Sequence, residues 1–545
     1  MEENVKKLTV VSICFEAMLA QKFHIYAGGL GVVQSALLKS GGRSDWPVNL
    51  YGLGTLWKQG YYDQRIGPEG MIVDYVTRNY NDILEDTGVR VSVDINGRPN
   101  FIKVWYLRPE IFKTVPTYFL DTDIEENDEL ARSITKRLYG GTEETRLAQE
   151  IVKGIGGVRA FEALGISVDL YHGQEGHSLL IAIELLRRNL KAGMTLKNAL
   201  WATARKFVFT THTPEIAGNE THNLDLMIKM GCFPEIPREI VLSLGGENFN
   251  MTMAALRLAR KANAVAKLHW DTTNRMWNGI NGGCPIVYIT NGIDLDWQFP
   301  EFAKASSPSE LQKVKAEHKN TLIQYIKKRT GKVFRENVPI VVWARRFTDY
   351  KRPWLLFMDW PWLERLLWND KLQLIIAGKP HPHDLRAINI FNDIYKKSLK
   401  VPNLAVLAGY EYYQSKVLKA GTDLWLQTSR RPREACGTSW ISANYNGAIV
   451  ISSRDGGILE SPEECHFLFG VDSPCTGEGE QDTKDYRDLI RVLEEAMEIY
   501  YHDKSQWYSK ALAAKQAAEK DFNADRMFKE YIDLMYLESS QKQST

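Results

Sequence analysis

The chain has 545 residues, 44% of them hydrophobic, with 68 Lys and Arg against 67 Asp and Glu. That length carries two large domains or three small ones, and the balanced charge argues against nucleic acid or an anionic membrane as the main partner. No apolar run reaches the ~18 residues of a membrane span, the charged start Met1–Leu8 does not read as a secretory signal, and the six cysteines (Cys14, Cys232, Cys284, Cys436, Cys465, Cys475) have neither disulfide nor metal spacing, so a cytoplasmic, metal-free protein is expected.

Short apolar runs alternate with stretches of helical period, the α/β signature. In the first half, Leu8–Cys14, Val168–His172, Lys206–Thr211 and Pro285–Thr290 predict buried parallel strands. Glu144–Leu164, His177–Arg188 and Met251–Lys267 carry the 3.6-residue spacing of helices. Ser306-Ser307-Pro308-Ser309 offers a start for a charged helix over Leu311–Lys328, expected to bridge two domains. Strand-like runs resume at Pro339–Trp343, Leu372–Gly378, Leu404–Gly409, Asp423–Thr428 and Ala448–Ser452. The expected layout is a Rossmann-like domain over 1–304, a linker helix over 305–333, a second Rossmann-like domain over 334–515, and a C-terminal helix and tail over 516–545, frayed from about Ser539. Two doubly wound sheets of this kind bind ligands beyond the carboxyl ends of their strands, so the site is expected in a cleft between them.

Several motifs stand at those strand ends. Tyr26-Ala27-Gly28-Gly29-Leu30-Gly31 follows the first strand and opens a helix. Glycines there let backbone amides approach an anion or a sugar hydroxyl; the bland reading is a structural turn. Arg345-Arg346-Phe347-Thr348-Asp349-Tyr350-Lys351-Arg352 follows the first strand of the second half. Arg346 offers a planar fork and Lys351 a point charge, both suited to phosphate; a solvated basic loop is the alternative. Thr210-Thr211-His212-Thr213-Pro214 and Thr290-Asn291-Gly292 each end a strand. Glu434-Ala435-Cys436-Gly437-Thr438 offers a carboxylate that can accept from two sugar hydroxyls, set on a turn.

These segments closely resemble the α-glucan (glycogen, starch, maltodextrin) phosphorylases, over roughly residues 9–35, 115–220, 249–300 and 340–460. Leu138-Tyr139-Gly140-Gly141-Thr142, Gly154–Ala160 and Gln174-Glu175-Gly176-His177 are similar to the short prokaryotic group. The resemblance implies a GT-B glycosyltransferase fold with an interdomain active site. It implies Gly28 and Gly29 on the donor's phosphate and sugar, His212 and Asn291 on glucose, and Glu434 with Ala435, Cys436, Gly437 and Thr438 on the sugar's distal hydroxyls. Tyr410 would lie near the cofactor phosphate of the family. Arg346 and Lys351 would stabilise the charge of a departing phosphate.

One position departs from that pattern. The family holds pyridoxal phosphate as a Schiff base on a lysine, and at the matching place, eight residues after Glu434, this chain has Ser442, with no lysine between Lys419 and Lys484. Only a primary amine condenses with an aldehyde, so no covalently held pyridoxal phosphate is expected. Trp440 stands where the family has a small residue or asparagine; its indole either fills the space of a pyridoxal ring or stacks on a nucleobase. Ser442 lies at the spacing that meets the ribose in nucleotide-sugar transferases of the same type. The expected function is retaining transfer of a glucosyl unit from a nucleotide-diphosphate sugar onto an α-1,4-glucan. Two alternatives stand beside it: an α-glucan phosphorylase with a non-covalent or replaced cofactor, and an inactive glucan-binding subunit. The nucleotide base and the oligomeric state are left open.

Overall fold

The computed structural model describes residues 7–43, 45–470 and 475–537. The tail expected to fray from Ser539 lies outside them, as does most of the Met1–Leu8 stretch. Two compact units divide the chain: Met1–Tyr61, Val76–Asn291 and Ala524–Thr545 form the first, and Tyr62–Tyr75 with Gly292–Asn523 the second. The boundaries differ from those expected: the first unit gives up Tyr62–Tyr75 and residues 292–304 to the second, and two further differences concern the helices. The charged helix Pro308–Thr330 is not a free bridge but packs inside the second unit, against the helices Tyr412–Gly421 and Lys504–Asp521. The C-terminal residues from Ala524 onward return to the first unit. That charged helix begins as Ser306-Ser307 suggested. Ser307 caps it, and Glu310 closes the reciprocal capping box.

The first unit is built on a nine-stranded sheet. In chain order its strands are β1 (Leu8–Ile13), β2 (Val48–Thr55), β3 (Glu85–Ile95), β4 (Arg98–Leu107), β5 (Thr117–Asp121), β6 (Leu170–Gln174), β7 (Phe207–Thr210), β8 (Ala262–Ala264) and β9 (Ile286–Tyr288). The spatial order is β9-β8-β7-β6-β1-β2-β5-β4-β3. All neighbours from β9 to β5 pair in parallel, and β4 and β3 close one edge antiparallel. The parallel strands are covered on both faces, so β6 and β7 are buried at every position.

Met251–Lys267 is not one helix. The helix stops at Leu258, Ala262–Ala264 forms β8, and a new helix runs over Lys267–Met276. The run Ala262-Asn263-Ala264-Val265-Ala266 is fully buried between β7 and β9, and this pairing overrides the helical preference of alanine. The antiparallel pair β3–β4 was absent from the predicted elements.

The second unit carries six parallel strands: β10 (Ile340–Ala344), β11 (Gln373–Ala377), β12 (Leu404–Leu407), β13 (Leu424–Gln427), β14 (Ile449–Ser453) and β15 (His466–Phe469). Their order is β12-β11-β10-β13-β14-β15, the 3-2-1-4-5-6 arrangement of a doubly wound sheet. The chain fills one side of β10 and then crosses to β13, so a crevice opens between the carboxyl ends of these two neighbours. In the first unit the corresponding reversal falls between β1 and β6. A hairpin, Asp63–Gly67 with Gly70–Asp74, belongs to the second unit although it interrupts the first in sequence. Gln64 anchors it by donating to Gly378 O at 3.1 Å and accepting from Gly409 N at 3.0 Å.

Candidate active site

In the second unit, the loops after β10 and β13 bring four side chains together at that crevice. Arg345 donates to Glu434 Oε2 at 2.6 Å, Lys351 Nζ donates to the same oxygen at 2.7 Å, and Ser429 Oγ donates to it at 2.6 Å. Arg345 also donates to Ser429 Oγ at 2.7 Å. Burial alone would raise the Glu434 carboxyl. The Arg345 and Lys351 charges, with hydrogen bonds from Lys351 and Ser429, reverse that and hold it well below the usual carboxylate range. Below it, Asp455 accepts the Glu434 N–H at 2.8 Å. Burial, and then the negative Glu434, push the Asp455 carboxyl well above the usual carboxylate range.

The loop 345–352 is braced from behind. Arg352, with no exposed surface, donates to the carbonyls of Thr428 and Ser429 and pairs with Asp482 and Asp485. Gly437 sits at φ +76°, and a Cβ there would press to 3.2 Å from both Gln427 Oε1 and the Glu434 side chain, which is why the turn after Glu434 needs glycine.

The structure places the expected residues of this unit as follows. Lys351 and Glu434 meet directly. Arg346 is exposed, and its neighbour Arg345 is the arginine turned into the cluster. Tyr410 lies at the end of β12 with its hydroxyl 3.1 Å from Ser415 Oγ; burial pushes it up to about 12, against the hydrogen bond to Ser415 and the charge of Arg345. Of the turn 435–438, Cys436 O accepts from Gly457 N at 3.0 Å and from Trp440 Nε1 at 3.2 Å, Gly437 O accepts from Trp440 N at 3.3 Å, Ala435 is half-buried and Thr438 is buried.

Trp440 is fully buried. Its ring packs edge-on against Phe522 at 4.8 Å and His466 at 5.8 Å. Between the two uses expected of it, the geometry is that of a core filler, with no face offered to a base. Ser442 is 1% exposed, and its hydroxyl is a buried polar atom with no hydrogen-bond partner. Residue 442 therefore does not fit a covalently held pyridoxal: the group in place is a hydroxyl. One buried amine in this part of the fold is Lys419, on the neighbouring helix Tyr412–Gly421, with Nζ 4.7 Å from the ring centre of Trp297; burial brings it down to about 7.

In the first unit, the loop after β1 carries Glu16. Its Oε2 accepts the amides of Ala27 (2.8 Å) and Gly28 (2.9 Å), and its Oε1 accepts the Tyr139 hydroxyl (2.7 Å). Of the two glycines expected to face phosphate and sugar, Gly28 already has its amide engaged. A carboxylate already occupies the Gly28 N–H at the start of the helix Gly29–Gly41, while Gly29 is exposed. Asn291, 3% exposed, has an Oδ1 without a hydrogen-bond partner. His212 stands after β7, its backbone N–H donating to Glu175 Oε1 at 2.7 Å and its Nε2 2.7 Å from the Gln174 amide. Burial raises the Glu175 carboxyl to about 7.

A second polar cluster in this unit has cation-binding residue types. Glu150, Glu220 and His222 bring ligand atoms within 4.8 Å of one another. Arg146 already pairs with both glutamates, at 3.0 and 2.8 Å, and its guanidinium supplies the positive charge. Although burial lowers His222, hydrogen bonds to Glu220 and Glu143 dominate and raise it from 6.5 to about 9. A raised folded pKa stabilises fully below the unfolded value and is lost as pH climbs through the folded one. The thermal midpoint should therefore fall between pH 6.5 and 9, a contribution on the order of 1 kcal/mol once screening around the half-exposed Glu143 is allowed for. In His222→Gln this part of the slope should vanish; parallel slopes for the two proteins would refute the assignment.

Residues 247–483 match the carbohydrate phosphorylase family. An uncharacterized protein of Methanocaldococcus jannaschii is 38% identical over 530 residues, spanning 96% of this chain and 98% of the other. Maltodextrin phosphorylase of Thermococcus litoralis is 29% identical over 589 residues, 97% of this chain and 70% of that enzyme. Glycogen synthase of Streptococcus gordonii is 29% identical over 253 residues, 46% of this chain and 48% of that enzyme. The chain belongs to the carbohydrate phosphorylase family.

Two functional candidates escaped sequence reasoning. Arg345 sits beside the arginine that was chosen. Glu16 meets Gly28 through a fold-back of the loop after β1 that leaves no periodic signal.

Proposed function

We propose that the protein is a retaining glucosyltransferase that extends an α-1,4-glucan from a nucleotide-diphosphate sugar, without covalently bound pyridoxal phosphate. The reading takes the two units as the halves of a GT-B glycosyltransferase. The observation that carries it is the convergence of Arg345, Lys351 and Ser429 on Glu434 at the crevice between β10 and β13. Two buried cations suit the phosphate of a leaving group, and a carboxylate suits sugar hydroxyls. The Glu434 carboxylate offsets one of the two positive charges, which leaves the cluster net positive, as suits an arriving phosphate. Within the first unit, His212 and Asn291 carry polar groups suited to sugar hydroxyls.

Phosphorolysis is the second reading. The extent of the likeness favours it: 97% of this chain aligns with a maltodextrin phosphorylase, against 46% with a glycogen synthase. Incubation with maltooligosaccharide and UDP-, ADP- or GDP-glucose, or with inorganic phosphate instead, separates the two. Chain lengthening with nucleotide release is the expected result. Glucose 1-phosphate formed only with inorganic phosphate would overturn it in favour of phosphorolysis.

The cofactor claim has its own test. Purified protein should lack a pyridoxal absorbance band, and borohydride should fix no pyridoxal to the chain. A stoichiometric reduced adduct on any lysine, Lys419 included, would end the claim. Ser442→Lys should not by itself restore tight pyridoxal phosphate binding.

A further inference from the structure

A run of buried contacts inside the first unit joins the C-terminal segment to His212. The Tyr536 hydroxyl lies 2.8 Å from His172 Nδ1. His172 Nε2 lies 2.7 Å from Thr210 Oγ1 and 3.2 Å from one end of the Gln174 amide. The other end of that amide lies 2.7 Å from His212 Nε2. Tyr536, His172, Thr210 and Gln174 are each 1% exposed or less. In a closed network of this kind every donor has to meet an acceptor, so one fixed end sets the direction of the whole.

Asn263 is the fixed end. Its amide nitrogen donates to Ala264 O at 3.1 Å, which leaves its Oδ1 facing Thr210 Oγ1 at 2.6 Å. A carbonyl oxygen only accepts, so Thr210 spends its single hydrogen there. Thr210 Oγ1 must then accept from His172, and His172 carries its proton on Nε2. Burial holds this imidazole neutral by pushing its pKa down to about 3, so Nδ1 is a lone pair and receives the Tyr536 hydrogen. With N–H at Nε2, the Gln174 atom beside it has to be the amide oxygen, because a nitrogen there would set two N–H groups against each other. A half-turn of the amide exchanges its oxygen and nitrogen without changing its shape. The amide nitrogen then faces His212 Nε2 and donates to it. Burial likewise keeps His212 neutral, near a pKa of about 3, so its one proton is on Nδ1.

We infer that Tyr536, His172 and Gln174 are positioning residues that fix His212 as the Nδ1–H tautomer, whose N–H is the donor offered to a sugar hydroxyl or to the oxygen of the bond being broken. The tautomer follows from the hydrogen bonds and from the burial of the two imidazoles; its use rests on the glucosyl-transfer reading above. The C-terminal segment is firmly seated for this task. Arg260 donates to Met535 O at 2.8 Å and to Tyr536 O, and Lys261 donates to Leu534 O at 2.7 Å.

Histidine-selective 15N labelling with long-range proton–nitrogen correlation reads the tautomer with no substrate present, the His212 signals being assigned by their loss in His212→Gln. The wild-type protein should show His212 protonated on Nδ1. Gln174→Met removes the donor at similar volume and should convert His212 to a tautomer mixture, lowering kcat about tenfold with little change in KM for the glucan. Tyr536→Phe keeps the ring and should give a smaller shift in the same direction. A wild-type His212 protonated on Nε2 overturns the inference. So does a Gln174→Met protein that mixes the tautomers yet keeps wild-type turnover. A wild-type enzyme inactive with every donor would count against the proposed function, while the Nδ1 signal would still uphold the hydrogen-bond network.

Discussion

Lys351→Ala should lower turnover by roughly 100-fold or more, since a cation aimed at a departing phosphate is asked for a few kcal/mol of transition-state stabilisation. Lys351 is 6% exposed and held at 2.7 Å from Glu434, so it is pre-placed, and its removal cannot be compensated by a solvated neighbour. Arg345→Ala should be as damaging, because Arg345 touches both Ser429 and Glu434. Exposed Arg346 needs substrate to show its worth, and Arg346→Ala tests whether it joins the grip. Acceptor affinity should change little in all three, as read by maltooligosaccharide binding. Near-wild-type rates in both Lys351→Ala and Arg345→Ala would make the loop a structural ion-pair cluster with no part in the reaction.

Trp440→Ala should cost about 3–5 kcal/mol of stability, the range for large-to-small aromatic changes in a packed core. The indole has no exposed surface, contacts Phe522 and His466, and donates to Cys436 O, so its loss leaves a cavity and removes one of that carbonyl's two donors. Denaturant unfolding checks the stability loss. Equilibrium binding of a nucleotide sugar to the folded fraction should be unchanged. A variant of normal stability with about tenfold weaker nucleotide binding would restore the base-stacking role.

The sites at strand ends were legible because they are local: a buried apolar run, then a turn, then chemistry-bearing residues. Choosing between Arg345 and Arg346 was not local. Which of two adjacent side chains turns inward depends on how the chain leaves β10, and composition does not record it. The stretch Ala262–Ala266 misled because short apolar runs of small residues suit a strand and a helix equally, and only its neighbours β7 and β9 decide. A signal for β3 was present in the alternation Val89, Val91, Val93, Ile95, whose positions face inward on one side of the sheet. Trp440 illustrates the opposite limit. The sequence offered filler or base platform, and only the position of Phe522, far along the chain, separates them.

The return of Ala524–Leu537 to the first unit carries a consequence for how the molecule is made. On the ribosome, β1 to β9 emerge before the second unit, yet Tyr531 and Tyr536, both wholly buried against β6–β8 side chains, are translated after it. Until then His172 and Asn263 lack partners they have in the finished protein. The second unit, save for its Tyr62–Tyr75 hairpin, is continuous and is completed earlier. Nascent chains stalled before Ala524 should thus present a protease-resistant second unit beside a first unit still open to cleavage, reversing the usual N-to-C order of domain maturation.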